Sequence, residues 1–148
     1  MVSLLLAVLA TCPAKGTLVL VDTAQHRLEL CASGELVHGY DVAIGSGGAV
    51  PVERRIGWAV TPLGRFSLAG PIPSSQYHVF IPLLNPAPGR FTAWAIGLHG
   101  PPRSARDGGH PNVESDWTWG CIAVSSDREI DEIAGWVREK RVSAVEFR

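Results

Sequence analysis

The chain lacks an excess of either charge. Its 13 Lys and Arg against 14 Asp and Glu leave a net charge of −1 over 148 residues. That gives no electrostatic case for nucleic acid or an anionic membrane as partner. It also lacks an apolar run of membrane-spanning length. The longest, residues 2–10 (Val-Ser-Leu-Leu-Leu-Ala-Val-Leu-Ala), is too short to cross a bilayer as a helix. No internal repeat, low-complexity block or local two-residue metal-ligand spacing is present. The glycine cluster Gly45-Ser46-Gly47-Gly48 has no following Gly-Lys-Ser/Thr, which excludes a phosphate loop. Cysteine is scarce: Cys12, Cys31 and Cys121. An odd count leaves at least one thiol unpaired within the chain.

Glycine (16) and proline (11) are frequent, which suits short strands joined by many turns. The length suits one domain with a real core. Alternating apolar patterns predict strands at 17–22 and 27–31 around a polar turn at Thr23–His26, with a further turn at Ser33-Gly34. Further strands are predicted at 37–44, 64–68, 78–84, 94–98, 121–124 and 142–147, and Gly45–Gly48 reads as a flexible loop. Pro82 predicts an edge position or a bulge. Ser126-Asp127-Arg128-Glu129 is a capping box, and Ile130, Ile133, Ala134 and Val137 follow at helical spacing. A mainly β fold with one packed helix follows. Residues 101–116 form a polar loop long enough to wall a cleft.

The chemistry concentrates in Thr118-Trp119-Gly120-Cys121-Ile122. Glycine lets the backbone bend so that sulfur and amides face a substrate. Leu98-His99-Gly100 lies upstream, and a histidine can take the thiol proton and hold an imidazolium beside the thiolate. The alternatives are bland: Cys121 as a buried structural thiol, or a Cys31–Cys121 disulfide. Cys31 reads as a small buried residue or strand-end thiol. A zinc site from His99, His110 and Cys121 is poorly supported by spacing.

At these residues the chain resembles the L,D-transpeptidase catalytic domain, or YkuD, family. Its histidine-glycine pair is His99-Gly100, and its Ser/Thr-x-Gly-Cys-Ile/Val motif is Thr118–Ile122. Thr61-Pro62-Leu63-Gly64-Arg65-Phe66 and Ser74-Ser75-Gln76-Tyr77-His78 resemble two further family segments, a strand entry and a cleft wall. Asp116-Trp117-Thr118 resembles the branch that includes murein peptide hydrolases. The resemblance covers residues 17–147 and implies a β-sandwich-like catalytic domain. Residues 1–14 read as an export signal, although no basic residue precedes the apolar run. Cys12 would then leave with it or, since Leu9-Ala10-Thr11-Cys12 is near a lipobox, be lipidated.

The resemblance implies an exported, envelope-located cysteine transpeptidase acting on peptidoglycan stem peptides through a thioester, and a monomer without cofactor. Carbapenem-type β-lactams would inhibit it. Cys121 would be the nucleophile and His99 the base, oriented by the Gly100 carbonyl. The amides of Gly120 and Cys121, with Tyr77, would hold the oxyanion. Thr118 would orient the loop. Trp119 stands where many relatives carry histidine, and Ala123 where many carry arginine or asparagine. His99 and Cys121 are 22 positions apart (121 − 99), longer than in many relatives. Arg103 and Arg106 in that loop are candidates for substrate carboxylates, and His78 for the cleft. His26, His38 and His110 read as ordinary strand, turn or solvated residues. Two competing functions are a peptide hydrolase with water as acceptor and a non-catalytic wall-binding domain.

Overall fold

A computed structural model describes residues 12–54, 59–84, 96–103 and 113–148. Residues 1–11, most of the expected export signal, lie outside them, as do Trp94, Arg106 and His110.

Among the described residues, ten strands are hydrogen-bonded into a mixed sheet: β1 (Thr17–Asp22), β2 (Arg27–Ala32), β3 (Glu35–Asp41), β4 (Ala49–Pro51), β5 (Thr61–Leu68), β6 (Ile72–Ser74), β7 (His78–Leu84), β8 (Gly97–His99), β9 (Ile122–Ala123) and β10 (Ala144–Phe147). The order is β3-β2-β1-β10-β5-β7-β8-β9, with β4 on β5 and β6 on β7. The two ends of this path meet. Just past β3, Ala43 exchanges both backbone hydrogen bonds with Ala123 of β9, at 2.9 and 3.0 Å. The sheet thus folds back on itself around a common core, in accord with the predicted β-rich class.

The local chemistry explains the hairpins. Ser33 and Gly34 both take positive φ (50° and 86°), the conformation a tight two-residue β2–β3 turn requires. Along β1, Val19 and Val21 face the main core, and Leu18 and Leu20 face a second small cluster with Cys31. With both faces covered, β1 is apolar at four successive positions. The helix α1 (Asp127–Lys140) starts at Ser126, whose hydroxyl accepts from the Glu129 amide at 3.2 Å. Its face Ile130, Ile133, Ala134 and Val137 is buried in the main core beside Leu98 and Ile122. The helix packs chiefly on β7, and its Ile130 reaches Gly100, the residue after His99. It ends at Arg141, which adopts the left-handed conformation (φ 52°) and donates its amide to the Arg138 carbonyl.

Four expectations change. The third strand is Glu35–Asp41 rather than 37–44, because the chain leaves β2 after Asp41 and crosses to β9. Pro82 lies in an interior strand, not at an edge. It sits where the partner of β7 changes from β6 (through Phe80) to β5 (from Leu83), so its missing N–H interrupts no pairing there. The Gly45–Gly48 segment is braced rather than loose. The Gly47 amide donates to Ala59 O at 2.8 Å, and a Cβ on Gly45 would lie 2.4 Å from that same oxygen. Finally, Cys31 is not a thiol and does not pair with Cys121. It is joined to Cys12, with Cα atoms 5.4 Å apart. The segment before β1 doubles back over the end of β2, where Ser33 N donates to Gly16 O at 2.9 Å, and this carries Cys12 to Cys31.

Candidate active site

β8 and β9 run parallel, with His99 opposite Ala123. Extending this register sets Cys121, which immediately precedes β9, level with Gly97, two positions before His99, and positions two apart along a strand share a face. His99 and Cys121 line one cleft of about 520 Å³ with Gln76, Tyr77, Phe80, Ile96, Pro102, Trp117, Thr118 and Trp119. Cys121 is half-buried and is not joined in a disulfide.

His99 is 1% exposed. Its Nδ1 lies 2.7 Å from the Gly100 carbonyl. A carbonyl only accepts, so Nδ1 carries the proton and Nε2 keeps the lone pair. Burial lowers the His99 pKa to about 4, and the Gly100 carbonyl opposes that shift only in part. At neutral pH the imidazole is therefore neutral, not the resting imidazolium of an ion pair with sulfur. The Tyr77 ring stacks on it at 3.7 Å between centroids, and Trp117 meets it edge-on at 5.9 Å. Gly100 is closely packed: a Cβ there would sit 3.2 Å from Ile130 Cγ2 of α1, which would have to give by a few tenths of an ångström. Tyr77 itself has a raised pKa, first through burial and then through the charge of Cys121, so its hydroxyl stays protonated.

The cysteine loop is held by side chains behind the cleft. The Thr118 hydroxyl donates to Cys121 O at 2.7 Å and accepts from Gly120 N at 3.1 Å. The Gly120 amide is thus engaged within its own loop. Gly120 has φ +126°, a backbone region that side-chain-bearing residues rarely enter. Thr61, fully buried at the start of β5, donates to Gly120 O and accepts from Gly45 N, both at 2.9 Å. Its place in the strand-entry motif pointed to it, but not to this strut. Asp116 and His26 were not singled out as site residues. Asp116 Oδ1 accepts from Ile44 N at 3.0 Å, and His26 Nε2 donates to both Asp116 oxygens at 2.9–3.0 Å. Nothing local to the Thr23–His26 turn reveals that contact.

The remaining candidates separate. Trp119 is on the cleft and 61% exposed. The Arg103 side chain is exposed and outside the lining set, while its amide donates to Gln76 O at 2.8 Å. His78 does not line the cleft; its Nε2 is 2.9 Å from Asp131 of α1, and its chain neighbours Gln76 and Tyr77 form the wall instead. Trp117 Nε1 is buried without a hydrogen-bond partner among the described residues. The one group of possible metal ligands among those residues, Cys12, Glu29 and Cys31, is accounted for by the disulfide.

A profile of the YkuD L,D-transpeptidase catalytic domain matches residues 16–145. The chain belongs to this family. Solved structures agree on the fold. An L,D-transpeptidase from Xylanimonas cellulosilytica superposes with TM-score 0.57 at 18% identity, covering 92% of this chain and 62% of that one. Pgp2 of Campylobacter jejuni, described as a helical cell shape determining protein, gives 0.62 at 20% identity, covering 89% and 47%. The catalytic domain of the E. faecium L,D-transpeptidase gives 0.61 at 16% identity, covering 90% and 98%. The chain spans less than two thirds of the first two and nearly all of the third. No curated protein sequence matches it.

Proposed function

We propose that this domain is a cysteine L,D-transpeptidase of peptidoglycan stem peptides. The observation that carries the reading is the presence, in one cleft, of a cysteine outside any disulfide and a buried neutral histidine whose Nδ1 is held by the Gly100 carbonyl. His99 Nε2 takes the Cys121 proton as sulfur attacks the carbonyl of the third stem residue. The carbon–sulfur bond forms, the carbon–nitrogen bond breaks, and the D-amino acid leaves with the proton from His99. An acceptor amine then attacks the thioester and gives its proton to Nε2, which returns it to the departing sulfur. The Cys121 amide and the Tyr77 hydroxyl serve as oxyanion donors. Burial supports the second role by keeping that hydroxyl protonated.

The Cys12–Cys31 disulfide supports action outside the cytoplasm, since such bonds persist in oxidising compartments. It also leaves Cys12 no thiol for a lipid. The test is intact-mass analysis with a disaccharide-tetrapeptide donor. Wild type should gain the acyl mass and release the D-amino acid, and folded Cys121→Ala should do neither. Added acceptor stems should yield cross-linked product, whereas shortened stems alone would identify water as the acceptor. Acylation of folded Cys121→Ala would sink the mechanism.

A further inference from the structure

Beneath the cleft, two side chains from distant parts of the sequence meet. His26 lies in the β1–β2 turn and Asp116 five positions before the nucleophile. We propose that they form a latch that sets the position of the cysteine loop, which makes both positioning residues for thioester formation; this rests on the transpeptidase reading above.

The contacts form an unbroken path. His26 Nε2 donates to both carboxylate oxygens of Asp116, at 3.0 and 2.9 Å. Asp116 Oδ1 also accepts from Ile44 N at 3.0 Å. Ile44 O in turn accepts from Thr118 N at 3.3 Å, and Thr118 O accepts from Ser46 N at 2.9 Å. The Thr118 hydroxyl then fixes Gly120 N and Cys121 O. The turn grips the same segment a second time, since Val42 N donates to His26 O at 3.0 Å. Residues 42–44 are thus clamped between the turn and the cysteine loop, on either side of the Ala43–Ala123 bridge.

Two features point to positioning rather than to bulk stability. His26 holds a left-handed backbone (φ 54°) that a non-glycine residue rarely adopts, and this conformation accompanies its reach to Asp116. The His26 and Asp116 side chains are 42% and 30% exposed, and a partly solvated pair contributes little to global stability. A nucleophile, by contrast, is sensitive to displacements of about 1 Å.

The test uses the purified full chain with His26→Ala, Asp116→Ala, His26→Gln and a control, Asp41→Asn. The control removes the neighbouring Arg27–Asp41 pair, which does not touch the loop. Two readouts are taken: thioester formation at saturating tetrapeptide donor, and the rate of Cys121 alkylation by iodoacetamide. The two alanine variants should lose roughly tenfold to a hundredfold in limiting acylation rate. Donor KM should be unchanged in both and the Cys121 alkylation rate should shift; the melting temperature should be unchanged in His26→Ala but fall in Asp116→Ala, which also leaves the buried Ile44 amide unpaired. His26→Gln, which keeps a donor in place, should recover most of the rate, and Asp41→Asn should match wild type. Wild-type acylation by His26→Ala would overturn the latch. So would a loss in His26→Ala that follows the melting temperature and is not rescued by His26→Gln. If wild type forms no thioester at all, the transpeptidase reading fails, and alkylation alone judges the latch: an unchanged Cys121 rate in His26→Ala overturns it.

Discussion

Acidification should destabilise this protein through His99. Burial holds the folded imidazole at a pKa of about 4, while the unfolded chain binds that proton near the ordinary 6.5. Between those values the unfolded state holds more protons. Stability that is fully present above pH 6.5 is therefore lost as pH falls, and the loss is complete below pH 4. At pH 5 the term amounts to about 2 kcal/mol, rising to about 3 kcal/mol at its limit. Urea unfolding of wild type and His99→Gln at intervals between pH 8 and pH 5 measures it. The glutamine variant cannot titrate, so the difference between the two isolates His99 from the other histidines and from most carboxylates. Wild type should lose about 2 kcal/mol more than the variant over that range. The same burial sets the kinetics. The acidic limb of kcat/KM should fall near pH 4 instead of near 6.5, and His99→Ala should slow thioester formation by about two to four powers of ten. Parallel stability curves for wild type and His99→Gln would refute the buried neutral imidazole.

Thr61→Val keeps the shape of the strut but leaves Gly45 N and Gly120 O unpaired in the interior. It should cost about 3 kcal/mol in urea unfolding and slow acylation, with Thr61→Ser close to wild type. A Val variant as stable as wild type would remove the strut from the account. Replacing Cys12 and Cys31 together by serine opens a cross-link across 19 positions and should lower stability by about 3 kcal/mol, with Cys121 acylation retained at 25 °C. An unfolding curve indifferent to reductant would show that the bond is not formed.

Much of the fold is legible locally. The β1 and β7 strands, the Ser33-Gly34 turn and the helix start at Ser126 follow from alternation, turn chemistry and a capping box, which act over a few residues. The His99-Gly100 and Gly120-Cys121 motifs mark the cleft for a similar reason: each motif is contiguous. The disulfide was misread because Cys12 was assigned to a departing signal, and only the chain's return over β2 brings it to Cys31. The motif names Gly120 but not the contact of its amide, which the Thr118 hydroxyl, two residues away, accepts. The Gly45–Gly48 segment looked loose because glycines favour turns. Here they admit close backbone contact with Ala59.

By itself the sequence determined the chemical types: a cysteine beside glycine, a histidine beside glycine, and strands short enough to carry both to their ends. These depend on neighbours along the chain, so spacing expresses them. Only the tertiary structure decided what those groups experience. Closing the sheet from β9 back to Ala43 sets the Ile44–Ser46 segment, Thr61 and the His26 turn behind the cysteine loop. Packing Tyr77 and the Gly100–Ile130 contact around His99 removes it from water and keeps its imidazole neutral. Hydrogen bonding and desolvation act through space, between residues up to 90 positions apart in the case of His26 and Asp116, and no local pattern encodes them.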